Sequence, residues 1–255
     1  MNMKFFFYSY KTIRKTEDMA AEVRQVIDAT KQYDRSETMM YFLLLPATAL
    51  EGVMNSVDRH FVKIAAQNAV TGERGDVTGE ISLDRLKALG VDMVRVGALD
   101  RRLALGESGD LTVQNNLAAL DLGLKSLVCA GETREQRDDG QAGSVLAAQI
   151  GPAFADIPES AIYRTAVMYQ PAWSLTENAD AEDLRYLESQ VGAIRATLEK
   201  VQPGLPEPLP VIYGGRLAGD DALRLLRDDT LDGLFVEDDV WDVKSFIRII
   251  TETMQ

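Results

Sequence analysis

The stretch MYQPAWSL, residues 168–175, places polar side chains directly after a short apolar run. A Tyr-x-Pro-x-Trp frame at the end of a buried strand is typical of a catalytic segment, but its second residue is Gln170. A carboxamide has no useful proton affinity near neutral pH, so Gln170 cannot take a proton from carbon. The segment is therefore either an active site or the remains of one.

Polar side chains and glycines follow the other apolar runs in the same way. The segments are 9–11, 67–68, 97–100, 131–133, 214–216 and 237–238, and they include Lys11, Asp100, Arg216, Glu237 and Asp238. A lysine can stabilise a developing oxyanion, and a carboxylate can exchange protons with a substrate. These residue types are compatible with acid–base chemistry but do not name an activity.

Eight apolar runs are expected to be the strands that position these groups. They are KFFFY (4–8), MYFLLL (40–45), VKIAA (62–66), MVRV (93–96), SLVCA (126–130), AVMY (166–169), VIY (211–213) and GLFV (233–236). Their continuous apolar character, without strict alternation, indicates strands that are buried on both faces, as in a parallel sheet.

Amphipathic segments lie between the runs and predict helices. One is expected to begin with Thr16 as its cap, and another to begin at Ser82 and end at Gly90. Eight strand–helix units within 255 residues predict a (β/α)8 TIM barrel that forms one domain over residues 1–255. The chemistry of such barrels lies at the carboxyl ends of the strands, where the polar segments fall.

Composition excludes several classes of function. A formal net charge of −13 argues against nucleic acid or an anionic membrane as partner, and no run is long enough to span a membrane. The single cysteine, Cys129, excludes an internal disulfide and fits a cytoplasmic protein. With one histidine, His60, a multi-histidine metal site is not expected, and no motif implies a cofactor.

Five segments are similar to motifs of the triosephosphate isomerase family. IAAQNAVTGERGDVTGEIS (64–82) resembles its third strand and interlocking dimer loop, and GALDRRLALGES (97–108) resembles its fourth-strand signature. LVCAGETREQRDDG (127–140), YQPAW (169–173) and YGGR (213–216) resemble the ends of its fifth, sixth and seventh strands. The similarity extends over essentially the whole chain in register, and it implies the same barrel.

The resemblance assigns the family's reactive positions to particular residues. Lys11 matches an electrophilic lysine, and Ser9 stands where the family has an asparagine. Ala98 occupies the place of a histidine that polarises the substrate carbonyl, and Gln170 occupies the place of the glutamate that moves the proton. Both proton-handling groups are therefore absent, so the resemblance leaves Lys11 as the one reactive group of the three.

The positions that hold the substrate phosphate in the family also differ here. The lid 174–178, which contains Glu177, lacks the expected glycine, Arg216 replaces a serine, and Glu237 and Asp238 replace a Gly-Gly pair. Two carboxylates at this place would repel a dianion. Arg216 either pairs with these carboxylates or holds an anion in a new place, and the sequence leaves both possibilities open.

The retained residues are mostly those of the framework and of the subunit contact. Thr78 matches the tip of the dimer loop, and Glu80 and Arg101 match a pair that links this loop to the fourth strand. A homodimer is therefore expected. The mouth is framed by residues that keep the family's identity: Glu107, Cys129, Glu132, Tyr169, Pro171, Trp173, Tyr213, Gly214 and Gly215.

Other prominent side chains have simpler explanations. Lys11 could be neutralised by Glu237, Asp238 or Glu107, and His60 is expected on the surface before the third strand. Cys129 is expected to be a buried, unreactive thiol, and Trp241 to cap the bottom of the last helix.

The residues favour a family member that is impaired or inactive as a triosephosphate isomerase. It would bind an unidentified small molecule or a partner at the former active-site mouth, through Ser9, Lys11, Glu177, Arg216, Glu237 and Asp238. One alternative is an aldose–ketose isomerase of altered substrate, with Lys11 and a new acid such as Glu177 or Asp100. The other alternative is a triosephosphate isomerase, as similarity over the whole chain suggests.

Overall fold

Eight strands pair in parallel with their neighbours in sequence, and the eighth pairs with the first, so the sheet is closed. The structure is a computed structural model that describes residues 3–33, 39–71, 77–175 and 181–254. The strands are β1 Lys4–Ser9, β2 Met39–Leu45, β3 Lys63–Ala66, β4 Met93–Val96, β5 Lys125–Ala130, β6 Thr165–Tyr169, β7 Val211–Tyr213 and β8 Gly233–Glu237. Each of the eight apolar runs overlaps one strand to within two residues. The predicted (β/α)8 barrel is confirmed.

Helices connect each strand to the next. They are α1 Thr16–Thr30, α2 Leu50–Met54, α3 Leu83–Leu89, α4 Leu99–Leu105, α5 Gly109–Asp121, α6 Arg134–Asp138, α7 Ala142–Ala155, α8 Glu159–Ile162, α9 Ala181–Val201, α10 Gly219–Arg227 and α11 Val243–Thr253, with a 3-10 turn at Ala172–Leu175. None of the helices within the described ranges is long and apolar enough to span a membrane.

The capping residues predicted from the sequence are found at both ends of α3 but not at the start of α1. The Ser82 hydroxyl accepts a hydrogen bond from the Arg85 N–H, and Gly90 ends α3 in the left-handed conformation at φ 81°, both as predicted. The prediction for α1 was wrong by one residue. Thr16 is already helical, and Lys15 is the N-cap without a side-chain hydrogen bond.

Two apolar layers hold the barrel together. Inward-facing side chains fill its interior, where the rings of Phe7 and Phe42 stack at a centroid distance of 4.9 Å and Met168 and Ile212 lie nearby. Outward-facing side chains, such as Phe6, pack against the helices. Because both faces of every strand are buried, continuous apolar runs are what this architecture requires.

Candidate active site

The carboxyl ends of the strands enclose two cavities. The mouth cavity, of about 200 Å³, is lined by Lys11, Asp100, Gln170, Arg216, Glu237, Asp239, Trp241 and apolar neighbours. The side cavity, of about 450 Å³, lies toward β2, β3 and β4, and its lining includes Thr12, Gln67, Asn68, Glu80, Arg95, Asp100 and Arg101. Asp100 belongs to both walls, so the two cavities meet at this residue.

Lys11 is held by carboxylates of the loop after β8. Its Nζ lies 2.5 Å from Glu237 Oε2 and 3.5 Å from Asp239 Oδ1. Partial burial acts to lower the pKa of this amine, but the hydrogen bond and charge of Glu237, with those of Asp239, raise it above its ordinary value. Lys11 therefore stays protonated, and its charge is neutralised within the protein.

Asp238 has a different partner from the one predicted. Its Oδ1 accepts the backbone N–H of Lys11 at 3.0 Å, and its Oδ2 lies 3.2 Å from Arg14 Nη1. Burial of this carboxyl raises its pKa, against the opposing effects of the Lys11 N–H and the Arg14 charge. Glu107 does not neutralise Lys11 either, because it pairs with Arg101 at 2.6 Å.

Gln170, just after β6, is fixed by hydrogen bonds within the barrel wall. Its backbone N–H donates to the Ala130 carbonyl at 2.8 Å, and its Nε2 donates to the Gly214 carbonyl at 2.9 Å. The residue is only 4% exposed but lines the mouth cavity. A neutral amide with a fixed orientation thus occupies this part of the wall.

Ala98 lies at the N-cap of α4 and is buried. The preceding Gly97 has φ 68°, and a Cβ on it would lie 2.6 Å from the Thr112 side chain, so this turn requires glycine. The methyl group of Ala98 offers neither a donor nor an acceptor. The wall above β4 therefore has no polar side chain at this residue.

Arg216 does not pair with Glu237 or Asp238, which corrects one of the two possibilities left open by the sequence. Its Nε donates to the Leu175 carbonyl at 2.7 Å, and its Nη2 lies 3.8 Å from Asp239 Oδ2. The guanidinium is thereby directed at the end of the 3-10 turn and at a loop carboxylate. Glu177 and the lid residues 176–178 lie outside the described residues.

Ser9 lies at the end of β1 and is 3% exposed. Its hydroxyl accepts a hydrogen bond from Gln67 Nε2 at 3.1 Å, and the same Nε2 also donates to the Tyr10 carbonyl. Ser9 is therefore engaged by the neighbouring strand end and is absent from the lining of both cavities.

Arg101 joins the side cavity to the loop before α3. Its Nη2 lies 2.7 Å from Glu80, whose other oxygen accepts from Asn68 Nδ2 at 3.1 Å. Thr78, two residues before Glu80, is exposed to solvent. Residues 72–76, which form most of the predicted dimer loop, lie outside the described residues.

Glu132 organises the frame beneath the lid. Its carboxylate is fully buried, and Oε1 accepts hydrogen bonds from Tyr169 and Trp173 at 3.0 Å and from Tyr186 at 3.2 Å. The Arg137 guanidinium stacks 4.3 Å from the ring centroids of Trp173 and Tyr186. The 3-10 turn that begins the lid is therefore anchored firmly to β5 and α9.

Three other predictions concern isolated side chains. Cys129 is buried inside the barrel, and burial raises the pKa of its thiol to about 11. His60 is exposed and contacts Phe61 edge-on at 5.0 Å. The expectation for Trp241 was wrong: it lines the mouth cavity before α11, because a turn in which its N–H donates to the Glu237 carbonyl keeps it at the carboxyl end of β8.

Arg95 was missed by the sequence reasoning. It lies in the third position of MVRV, and the alternation of β4 directs its side chain into the barrel with Met93. It is 8% exposed and lines the side cavity. A single charge inside an otherwise apolar strand was the available signal.

The fold and the polar strand ends define a (β/α)8 barrel with its candidate site at the carboxyl ends of the strands. A family model described as triosephosphate isomerase matches residues 4–253. The chain belongs to the triosephosphate isomerase family.

Two similar proteins are named L-erythrulose-1-phosphate isomerase. One, from Mesorhizobium japonicum, is 30% identical over 210 residues, which cover 82% of each chain. The other, from Rhizobium rhizogenes, is 29% identical and covers 96% of this chain and 94% of its own. A protein named triosephosphate isomerase, from Lawsonia intracellularis, is 30% identical over 82% of each chain. The relatives are thus named as isomerases of more than one sugar phosphate.

Proposed function

We propose that this protein is a non-isomerising member of its family that binds a ligand at the carboxyl end of the barrel. The observation that carries the proposal is a neutral amide, Gln170, held in a fixed orientation at the end of β6. Enolisation of a sugar phosphate needs a base that removes a proton from carbon. The amide at the end of β6 has no such basicity, and one hydrogen of its NH₂ group is donated to the Gly214 carbonyl.

The region that would have to polarise the substrate carbonyl supports the same conclusion. Ala98 contributes only a methyl group, and the amine of Lys11 is held 2.5 Å from Glu237. An oxyanion that develops on the substrate is stabilised by preorganised donors directed at it, often the largest contribution to catalysis. The wall near Ala98 lacks a side-chain donor, and the Lys11 charge is offset by a carboxylate.

The charges in the loop after β8 disfavour a phosphate dianion. Glu237, Asp238 and Asp239 follow one another there, against Lys11, Arg14 and Arg216. The three cations already lie within ion-pair distance of these carboxylates. A bound phosphate would have to displace them and leave uncompensated negative charge near its own.

A second candidate is an aldose–ketose isomerase with a different substrate and rearranged catalytic residues. The relatives named L-erythrulose-1-phosphate isomerase favour it, and both Lys11 and Asp100 line the mouth cavity. Asp100 is exposed and has no salt bridge within the described part of the chain, so it is available as an acid or base. A retained triosephosphate isomerase activity, as in the relative from Lawsonia intracellularis, is the third candidate.

Turnover assays distinguish the three candidates. Purified wild-type protein, made in a host that lacks its own triosephosphate isomerase, should convert neither glyceraldehyde 3-phosphate nor L-erythrulose 1-phosphate above the rate without enzyme. A mock purification from the same host sets the background. Conversion of the triose phosphate would support the third candidate, and conversion of the erythrulose phosphate alone would support the second. Either result would refute the proposal.

Restoring single groups provides a sharper version of this assay. Gln170→Glu alone should remain inactive, although a positioned base is worth about 10²–10⁴-fold, because the carbonyl donor and the phosphate site are still missing. Turnover should first appear when the whole set is combined: Gln170→Glu, Ala98→His, Glu237→Gly, Asp238→Gly and Arg216→Ser. Strong activity of the single variant would show that the rest of the site is intact.

We also infer that the protein acts as a homodimer in the cytoplasm. The exposed apolar residues Ile13, Val77 and Leu103 lie within two residues of the side-cavity residues Thr12, Gly79 and Arg101. The single buried cysteine is compatible with a reducing compartment.

A further inference from the structure

The amide oxygen of Gln170 is an unused acceptor on a buried side chain. Gln170 is 4% exposed, and its Nε2 donates to the Gly214 carbonyl at 2.9 Å, which fixes the orientation of the amide. Within the described ranges its Oε1 accepts no hydrogen bond, although the side chain lines the mouth cavity. Because buried polar atoms are normally hydrogen-bonded, this oxygen indicates a ligand that donates a hydrogen bond to it.

The cations of the mouth cavity are already paired with carboxylates. Lys11 Nζ lies 2.5 Å from Glu237 and 3.5 Å from Asp239, and Arg216 Nη2 lies 3.8 Å from Asp239. An anionic ligand would have to break these pairs, and a protonated amine would lie beside Lys11 and Arg216. An uncharged ligand leaves every pair intact.

Apolar side chains make up much of the remaining lining. Leu217, Leu234 and Val236 are buried, and Trp241 contributes a partly buried indole. Such groups pack against the carbon-bound hydrogens of a ligand, whereas the amide of Gln170 and the carboxylates need hydroxyl donors. The lining therefore suits a molecule that carries hydroxyl groups on a short carbon chain.

The size of the mouth cavity limits the length of that chain. Its volume of about 200 Å³ lies below the roughly 300–1,000 Å³ that is usual for the sites of drug-sized ligands. A molecule of only a few carbon atoms fits such a space.

We propose that the mouth cavity binds a small uncharged polyol, and that it discriminates against the carboxylated and phosphorylated forms of the same carbon skeleton. One hydroxyl donates to Gln170 Oε1. Glu237 and Asp239 accept from other hydroxyls with oxygen lone pairs that their cations leave unused. The inference rests on the proposed function, because it names the class of ligand for a barrel that does not isomerise.

Calorimetric titration of the full-length protein with compounds of equal length and different charge tests this site. The uncharged members are erythritol, D-threitol and L-threitol, and the anionic members are the corresponding aldonates and monophosphates. At least one of the three polyols should bind, and its aldonate and monophosphate should bind at least about tenfold more weakly. Tighter binding of either anion than of its polyol would contradict the inference.

Gln170→Met removes the acceptor and nearly keeps the length of the side chain. It should weaken polyol binding about three- to tenfold, which is the contribution of one neutral hydrogen bond. Gln32→Met, the same change at an exposed glutamine, is the matched control and should bind the polyol as the wild type does. Trp241→Ala removes the indole from the lining and should also weaken binding, which keeps the test decisive if Gln170→Met does not fold.

The pairing of charges is tested by Asp239→Asn. This variant takes a carboxylate away from both Lys11 and Arg216, so it should bind the aldonate more tightly than the wild type does. Asp228→Asn, the same change in an exposed pair with Arg224, should leave aldonate binding unaltered. An unchanged aldonate affinity in Asp239→Asn would show that the ion pairs do not exclude anions.

The inference would be overturned by a wild type that binds none of the three polyols, or by equal binding in a folded Gln170→Met or in Trp241→Ala. Failure here is distinguishable from failure of the proposed function. Isomerase turnover would refute the proposed function whether or not a polyol binds. Absence of polyol binding without turnover would leave a non-isomerising barrel whose ligand is of another class.

Discussion

Buried polar side chains around the barrel mouth differ in how completely they are satisfied. Gln170 donates to a backbone carbonyl, and one oxygen of Glu132 accepts three hydrogen bonds. Arg95 donates a hydrogen bond from only one of its three guanidinium nitrogens within the described residues. The other oxygen of Glu132 and the hydroxyl of Tyr10 are buried without a hydrogen-bond partner among the described residues, so incomplete satisfaction is not peculiar to Arg95.

The Cys129 thiol provides a residue-scale prediction. Burial raises its pKa to about 11, so at pH 8 nearly all of it is the unreactive neutral thiol. A thiol reagent such as dithionitrobenzoate should leave the native protein unlabelled and label one thiol per chain in guanidinium chloride. Rapid labelling of the folded protein at pH 8 would contradict the buried position of Cys129.

At the scale of elements, strands that are distant in sequence are joined by charged contacts at both ends of the barrel. Lys11 at the end of β1 reaches Glu237 at the end of β8. At the opposite end, the fully buried Lys4 donates to Asp229 at 2.6 Å and to the Leu231 carbonyl at 3.0 Å. Both contacts reinforce the junction between the first and last strands.

Asp229→Asn tests the contact at the bottom of the barrel. Asp229 has φ 54°, a conformation that asparagine also tolerates, so the substitution removes the charge without new backbone strain. It leaves Lys4 buried without a counter-charge and should cost about 1–3 kcal/mol in urea unfolding at pH 7. Asp228→Asn, in an exposed 3.7 Å pair with Arg224, should change stability by less than about 0.5 kcal/mol.

The effect of Asp229 should depend on pH. The hydrogen bond from Lys4 lowers the pKa of this carboxyl, so its contribution to stability is present above the unfolded pKa, about 4. It is lost as the pH falls through the lower folded pKa. The stability difference between wild type and Asp229→Asn should therefore shrink below about pH 4, and a constant difference would contradict this origin.

At the scale of the whole molecule, exposed apolar residues concentrate beside the side cavity. Ile13 is 90% exposed, and Val77 and Leu103 are more than half exposed. Each is within two residues of a residue that lines the side cavity. A partner subunit that covers this region would enclose the side cavity.

Sedimentation equilibrium tests the assembly. We expect a mass of twice the 28.1 kDa chain at micromolar concentration. Ile13→Asp should shift the protein toward monomer, because a charge would be buried in the contact. Tyr163→Asp, at an exposed aromatic residue before β6 and hence at the other end of the barrel, is the control and should remain dimeric. A monomeric wild type would remove the prediction.

The sequence by itself determined the eight strands and the order of the strand–helix units, and it placed the candidate site at the strand ends. These features depend on patterns among residues that are close in sequence. Examples are the continuous apolar run of β6 and the helix-end residues Ser82 and Gly90 of α3. The substitution of an amide at Gln170 was equally visible.

Only the tertiary structure decided which charges meet. Lys11 and Glu237 are 226 positions apart, and Arg216 approaches Asp239 and the Leu175 carbonyl, not the carboxylates first considered. It also brought Trp241 to the mouth and left Arg95 without a carboxylate. Side-chain partners depend on how the closed barrel orients each strand end, and closure is set by packing between residues far apart in sequence, which no local pattern encodes.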